Sequence, residues 1–246
     1  MIGLERFKKH FKGFENSYVV IGGTACEVLF EQNGENFRST KDIDMVIIME
    51  NISQEFVKKF WDFINEAKYE SIFGDDEKKK FYRFTHPKNE LYPKMIELFS
   101  RKPIHFELHY QSHLLPIHVG DEVSSLSAIL LNKEYYQFLK EGITIVDGLP
   151  ILDELHLIPF KAKAYVEIKE RVANGEQGQS RHIKKHQNDI LKLLTLVPRN
   201  QKVNLSGIVL EDMVKFIEDI KSKEILSNVL TKEEVIQLLS NIYTLS

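Results

Sequence analysis

The sequence is poor in several features, and each shortage excludes a class of protein. It has one cysteine, Cys26, in 246 residues, so neither an internal disulfide framework nor a metal-thiolate cluster can be built, and any metal must be held by oxygen or imidazole. No apolar run approaches the ~20 residues needed to span a bilayer. Residues 1–10 (Met-Ile-Gly-Leu-Glu-Arg-Phe-Lys-Lys-His) lack the apolar core of a signal peptide. The expectation is a cytoplasmic protein without a membrane partner. A charge excess is also missing: 33 basic against 36 acidic residues leave a formal −3, so nothing global advertises a polyanion partner and only a local basic patch remains open. There is no internal repeat or low-complexity linker. A chain of this length favours one large domain or two small ones.

What is present changes texture near residue 150. Before that point short β-like runs dominate. Phe11 to Phe14 and their neighbours suggest a short amphipathic helix. Tyr18-Val-Val-Ile21 is a compact apolar run ended by Gly22-Gly23, which spells a buried strand. Thr24 is placed to cap a helix running to about Glu31, and Asn33-Gly34 breaks it. Asp42-Ile-Asp-Met-Val-Ile-Ile48 reads as a second strand with a polar start. A helix over Ile52–Tyr69 follows. Lys80–Phe84 and Lys94–Phe99 read as further strands, and Ile104–Tyr110 alternates strictly, with His105, Glu107 and His109 on one face. After Asp147-Gly-Leu-Pro150 the periodicity is helical over roughly Asp153–Arg171, Ser180–Leu196, Leu210–Lys221 and Lys232–Tyr243. The last of these opens on a capping-box spelling, Thr231-Lys-Glu-Glu234. The simplest organisation is a mixed α/β domain over residues 1–150 and a helical domain over 151–246.

Chemistry concentrates between residues 19 and 49. Asp42 and Asp44 lie two apart on a strand, so both carboxylates share a face with Cα atoms about 6–7 Å apart. Such a pair repels itself unless a cation compensates it, and hard oxygen ligands suit Mg²⁺ or Mn²⁺. Upstream, Gly22-Gly23 lets backbone approach an anionic phosphate, and the helix that follows offers unsatisfied N–H donors and a positive dipole end. A strand-to-helix turn needs glycine for conformational reasons alone often enough that neither motif is decisive by itself. Their joint occurrence in strand, helix, strand order is the signal.

In these residues the sequence resembles the DNA-polymerase-β-like nucleotidyltransferase superfamily, whose pattern is strand, Gly-Gly or Gly-Ser, helix, then Asp-hydrophobic-Asp on the next strand. Ile21-Gly22-Gly23 and Asp42-Ile43-Asp44 follow it in order. The resemblance implies an α/β (α+β) nucleotidyltransferase fold with a mixed β-sheet, followed by a helical C-terminal domain. It also implies transfer of a nucleoside monophosphate from an NTP to an acceptor hydroxyl or phosphate. Catalytic and metal-binding residues would be Asp42, Asp44 and a third carboxylate on a later strand; Glu97 is the first candidate and Glu107 its competitor. Nucleotide-binding residues would be Gly22, Gly23, Thr24 and Lys161. Within the superfamily the sequence is most similar to AbiEii-type proteins, through Lys161-Ala-Lys-Ala164 and Lys185-His-Gln-Asn-Asp189-Ile-Leu-Lys-Leu193. That likeness implies a toxin-type enzyme with RNA as one acceptor class and a cognate antitoxin as partner. The interval between the glycines and Asp42 is longer than in the compact motif.

Bland readings stand beside these. Lys161 is either a triphosphate contact or part of a solvated basic face, and Lys163 is expected at the surface. Asp189 is expected as a polar residue beside the apolar stripe Ile190, Leu193, Leu194, or as a structural partner for a basic residue. His105 and His109 would lie ~13 Å apart on a strand, too far to share one ion. Lys78-Lys-Lys80 reads as a solvated loop. Two other functional classes stay open: an inactive nucleotidyltransferase fold used as a binding module, and an enzyme modifying an aminoglycoside-like small molecule.

Overall fold

The fold is described here from a computed structural model, over residues 1–73, 81–100, 132–198, 200–224 and 228–244. The chain divides into two compact units, Met1–Leu131 with Ile143–Leu152, and Asn132–Gly142 with Asp153–Ser246. The helical unit therefore takes in Lys133–Glu141 as well as the chain beyond Leu152.

The first unit is α/β. Helices α1 (Leu4–His10), α2 (Gly22–Gln32) and α3 (Gln54–Ala67) accompany strands β1 (Tyr18–Ile21), β2 (Asp42–Ile47), β3 (Glu70–Phe73), β4 (Phe81–Thr85), β5 (Met95–Phe99), β6 (Ile143–Val146) and β7 (Leu149–Leu152). The strands form one mixed sheet in the order β3-β4-β5-β2-β1-β7-β6. β2 is antiparallel to β1 and parallel to β5, and β1 is parallel to β7. The run at residues 18–21 is fully buried, as its unbroken apolar spelling requires for a strand with neighbours on both sides. β2 alternates at its start, where Asp42 and Asp44 are half-buried around a fully buried Ile43, and is buried from Met45 onward.

Aromatic side chains supply much of the core. Phe7 stands edge-on to Tyr18 and to Phe63, each at 5.7 Å between centroids, and Phe11 lies 5.5 Å from Phe63. The first helix is Leu4–His10, so Phe11 closes a helix instead of opening one. Its ring is still wholly buried. Helix α3 starts on a Ser53 cap that accepts from Phe56 N–H at 3.1 Å. It ends two residues before Tyr69, because the chain turns there through Lys68 in the left-handed conformation (φ 53°) into β3. The β6–β7 hairpin turns through Asp147 (φ 53°) and Gly148 (φ 74°), two positive φ values in sequence that fit the tight hairpin turn favoured by Asp-Gly. The stretch 104–110, with His105, Glu107 and His109, and the lysines 78–80 lie outside the described residues.

The second unit is helical: α4 (Lys133–Glu141), α5 (Glu154–Ala173), α6 (Ser180–Leu196), α7 (Gly207–Lys221) and α8 (Lys232–Ile242), with a two-residue parallel ladder between β8 (Val203–Asn204) and β9 (Tyr243–Thr244). Asp153 caps α5, its Oδ1 accepting from His156 N–H at 2.8 Å. Thr231 and Glu234 complete the capping box on α8. Among the described residues no helix is long and apolar enough to cross a membrane.

Pro159 sits inside α5 and cannot donate to the carbonyl four residues earlier, that of Leu155. The fully buried Tyr243 donates its hydroxyl to that carbonyl at 2.7 Å. The tyrosine thus supplies from the other end of the unit the donor that proline lacks. Tyr243→Phe should cost about 1–3 kcal/mol, the penalty for an unsatisfied buried acceptor. In a Pro159→Ala background the cost should shrink, because the helix regains its own N–H. Urea melts of the four proteins in a double-mutant cycle test this, and additive costs would refute the link.

Candidate active site at the start of β2

The site is built where β1 ends, α2 begins and β2 enters the sheet. Ile21 pairs with Asp44 across the antiparallel β1–β2 ladder, Asp44 with Glu97 across the parallel β2–β5 ladder, and Glu97 with Arg83 across the antiparallel β5–β4 ladder. Residues in register on neighbouring strands point to the same face, so one row crosses the sheet as Ile21, Asp44, Glu97, Arg83. Asp42 lies two residues from Asp44 on that face. The sheet therefore sets the three carboxylates expected from the sequence on one face, and it adds a guanidinium. Arg83 Nε donates to Glu97 Oε1 at 2.5 Å, and Nη2 forms an ion pair with the same oxygen at 2.5 Å. Glu97 is buried at 7% exposure, where an unpaired carboxylate would be costly.

Gly22 opens α2 with φ 71°, a conformation side chains other than glycine's rarely adopt. A Cβ there would fall inside the Asp44 carboxylate, 2.9 Å from its Cγ. Gly23 answers to a different neighbour: its Cβ would stand 2.7 Å from the methyl of Thr40 and 3.6 Å from Arg38 Nη2. The first glycine thus makes room for a site carboxylate, and the second lets the Thr40 segment close on the helix.

The helix is capped three residues earlier than its sequence suggests. Its N-cap is Ile21, no side chain caps it, and its first turn carries no acidic residue. Thr24, expected as the cap, is instead a fully buried residue of the first turn. Its hydroxyl donates to the Asp42 carbonyl at 2.6 Å and lies 3.2 Å from Thr40 Oγ1. Thr24 ties helix to strand and so sets the backbone position of Asp42. Behind it Glu27 Oε2 accepts from both the backbone N–H (3.1 Å) and the hydroxyl of Thr40, while Oε1 accepts from the Met1 ammonium at 3.0 Å. Burial alone would push the Glu27 carboxyl up, but these donors outweigh it and hold its pKa below the ordinary value.

Lys161 belongs to the helical unit, where it is buried and donates to Asp189 Oδ2 at 2.8 Å. Of the two readings of Asp189, the structure has the partner of a basic residue. Lys163, expected at the surface, has a side chain only 15% exposed and pairs with Asp212 at 3.1 Å and Glu167 at 3.2 Å. The two residues that sequence reasoning missed are Arg83 and Arg38. Strand register exposes the first, and no spacing rule signals it. The second sits in the stretch between helix and β2, identified only as a long interval.

Asp42 and Asp44 supply the hard oxygen donors that a divalent cation takes, and the glycine at 22 leaves space for one of them. Glu97 stands in the same row, with its Oε1 held by Arg83. Among the described residues, no three His, Cys, Asp or Glu side chains already converge as a metal-binding group.

No family model matches the sequence, and no curated protein matches it. Among solved structures it is similar to the Megavirus polyadenylate synthase, with a TM-score of 0.42 and 14% identity over 89% of this chain and 36% of that one. The chain thus spans about a third of that protein's length.

Two outcomes follow from the packing. Gly22→Ala should lose about 1–2 kcal/mol from the left-handed backbone alone, and more from the displaced Asp44 carboxylate, as read by urea denaturation. A variant as stable as wild type would show that the turn does not close on Asp44. Because Glu27 has a depressed pKa in the folded state, its contribution is present above the ordinary carboxyl value of 4.5 and fades as pH falls below it. Glu27→Gln should therefore lower the melting temperature at neutral pH and flatten its dependence on pH below that value. An unchanged acid limb would exclude Glu27 as a source of that dependence.

Proposed function

We propose that this chain is a metal-dependent nucleotidyltransferase that moves a nucleoside monophosphate from an NTP to an acceptor hydroxyl or phosphate. The observation that carries the reading is the row Asp44–Glu97, with Asp42 two residues away on the same face and an uncapped helix start beside it at Gly22. Carboxylates clustered next to a helix N-terminus combine a place for divalent cations with a place for phosphate oxygens.

Asp42 and Asp44 would hold Mg²⁺ or Mn²⁺, with Glu97 as the third carboxylate. A cation so held supplies charge neutralisation of the triphosphate and a lowered pKa for the acceptor hydroxyl. The residues of the chain do the rest. The N–H groups of the first turn of α2 face phosphate oxygens, and Arg38, beside Gly23, adds a cation there. Thr24 fixes the Asp42 backbone, and Gly22 keeps the Asp44 carboxylate against the turn. The bond that forms joins the acceptor oxygen to the α-phosphorus. The bond that breaks joins that phosphorus to the oxygen bridging to the β-phosphate, pyrophosphate leaves, and the acceptor's proton passes to solvent. Little covalent participation by protein is needed, so alignment and charge carry the rate.

RNA and an aminoglycoside-like amino sugar are the two acceptor classes to be separated, and a cognate antitoxin belongs to the first. The test incubates pure protein with each labelled NTP and Mg²⁺, offering total RNA in one arm and amino sugars in the other. Transfer should appear with one acceptor class, and Asp42→Asn or Asp44→Asn should abolish it while leaving the fold intact. Undiminished transfer by both variants would remove the mechanism; metal-dependent NTP binding without transfer to any acceptor would make the chain a binding module.

A further inference from the structure

We propose that Arg83 is the internal counter-ion of the carboxylate site and competes with the divalent cation for Glu97. The inference rests on the nucleotidyltransferase reading above and concerns a residue that reading does not use. Its basis is the ladder register. Arg83, Glu97 and Asp44 are consecutive members of one row on one face of the sheet, and the guanidinium makes two contacts with a single Glu97 oxygen at 2.5 Å. Such charge-assisted contacts are the strong ones among hydrogen bonds.

The physical consequence concerns the resting protein. Asp42, Asp44 and Glu97 would place three negative charges on one sheet face, and Glu97 is buried. With Arg83 in place, Glu97 is compensated without metal, so the strands can assemble before a cation arrives. A cation that takes Glu97 Oε1 must then displace both guanidinium contacts, and its affinity is lower by the strength of that pair. The released guanidinium, 20% exposed on its side chain, remains on the same sheet face as the carboxylates. Arg83 is thus a positioning residue for Glu97, trading some metal affinity for a site that folds metal-free.

The test uses Mn²⁺ alone as probe, with affinity read by electron paramagnetic resonance and stability by thermal melting, on the full chain. Arg83→Met should melt earlier than wild type without metal, bind Mn²⁺ about tenfold more tightly, and show a larger Mn²⁺-induced rise in melting temperature. In a Glu97→Gln background the same substitution should leave Mn²⁺ affinity unchanged, since no carboxylate is left to compete for. If Arg83→Met does not fold, Arg83→Lys keeps a charge but loses one of the two contacts, and should tighten Mn²⁺ binding by a smaller factor. Mn²⁺ binding that is lost in Asp44→Asn but is no tighter in the Arg83 variant overturns the counter-ion role and leaves the metal site standing. Wild-type protein that binds no Mn²⁺, or binds it equally well as Asp44→Asn, overturns both.

Discussion

The structure around the site depends on one close approach, that of the Asp44 carboxylate to the backbone at Gly22. No side chain fits between them, and the backbone there is left-handed, so residue 22 must be glycine for both reasons. The approach fixes the height at which α2 leaves the sheet relative to β2. It also decides which group faces the helix start. An acidic side chain beside an uncapped N-terminus is favoured by the helix dipole, so the arrangement helps retain Asp44 before any ligand is considered. Once Asp44 is placed, strand pairing places Glu97, and Glu97 in turn places Arg83.

A second layer keeps that geometry from relaxing. Helix α2 is buried at every position from Thr24 to Phe30, which leaves its two polar members, Thr24 and Glu27, to be satisfied internally. Both turn to the segment just before β2: Thr24 to the Asp42 carbonyl, Glu27 to Thr40. Apolar burial holds the helix against the sheet but does not select a register, because it is non-directional. The hydrogen bonds do select one. They connect residues 13 to 18 apart in sequence, bringing the long interval before Asp42 back to the helix it left.

Local signals made the site's parts legible and left their connections illegible. Asp-Ile-Asp on a strand predicts the shared face correctly, since period-2 geometry is a property of the strand alone. The Ser180–Leu196 helix and the Thr231–Glu234 capping box are likewise short-range patterns, and the structure has both. Thr24 was misplaced as a cap because Gly-Gly reads as a turn, whereas here the glycines are the first helical residues. The β6–β7 hairpin and the parallel pairing of β7 with β1 were missed, although Asp147-Gly148 is a turn signal, because a pairing between Val20 and Ile151 leaves no local trace. Helix α4 was missed for the same reason: it belongs with helices far along the chain. The Arg83–Glu97 bond needs the register of two ladders and could not be read from spacing.

The two units solve the problem of buried charge differently, and the contrast bears on where chemistry can occur. In the helical unit, buried acids are matched by nearby lysines or tyrosines: Asp189 with Lys161, Asp212 with Lys163 and Tyr135. Removing one member of such a pair strands the other in a poor solvent, while replacing both with apolar residues is often neutral. Those groups are committed to the fold, and Lys161 must break an ion pair to touch a phosphate. At the start of β2 the acids are less deeply buried. Asp42 and Asp44 are half-buried on the same face as Glu97, whose own contact is with Arg83. They share that face with a carboxylate that a guanidinium already matches, beside the glycine that opens α2. The buried charges of the helical unit thus serve its own architecture, while the proposed chemistry draws on the sheet.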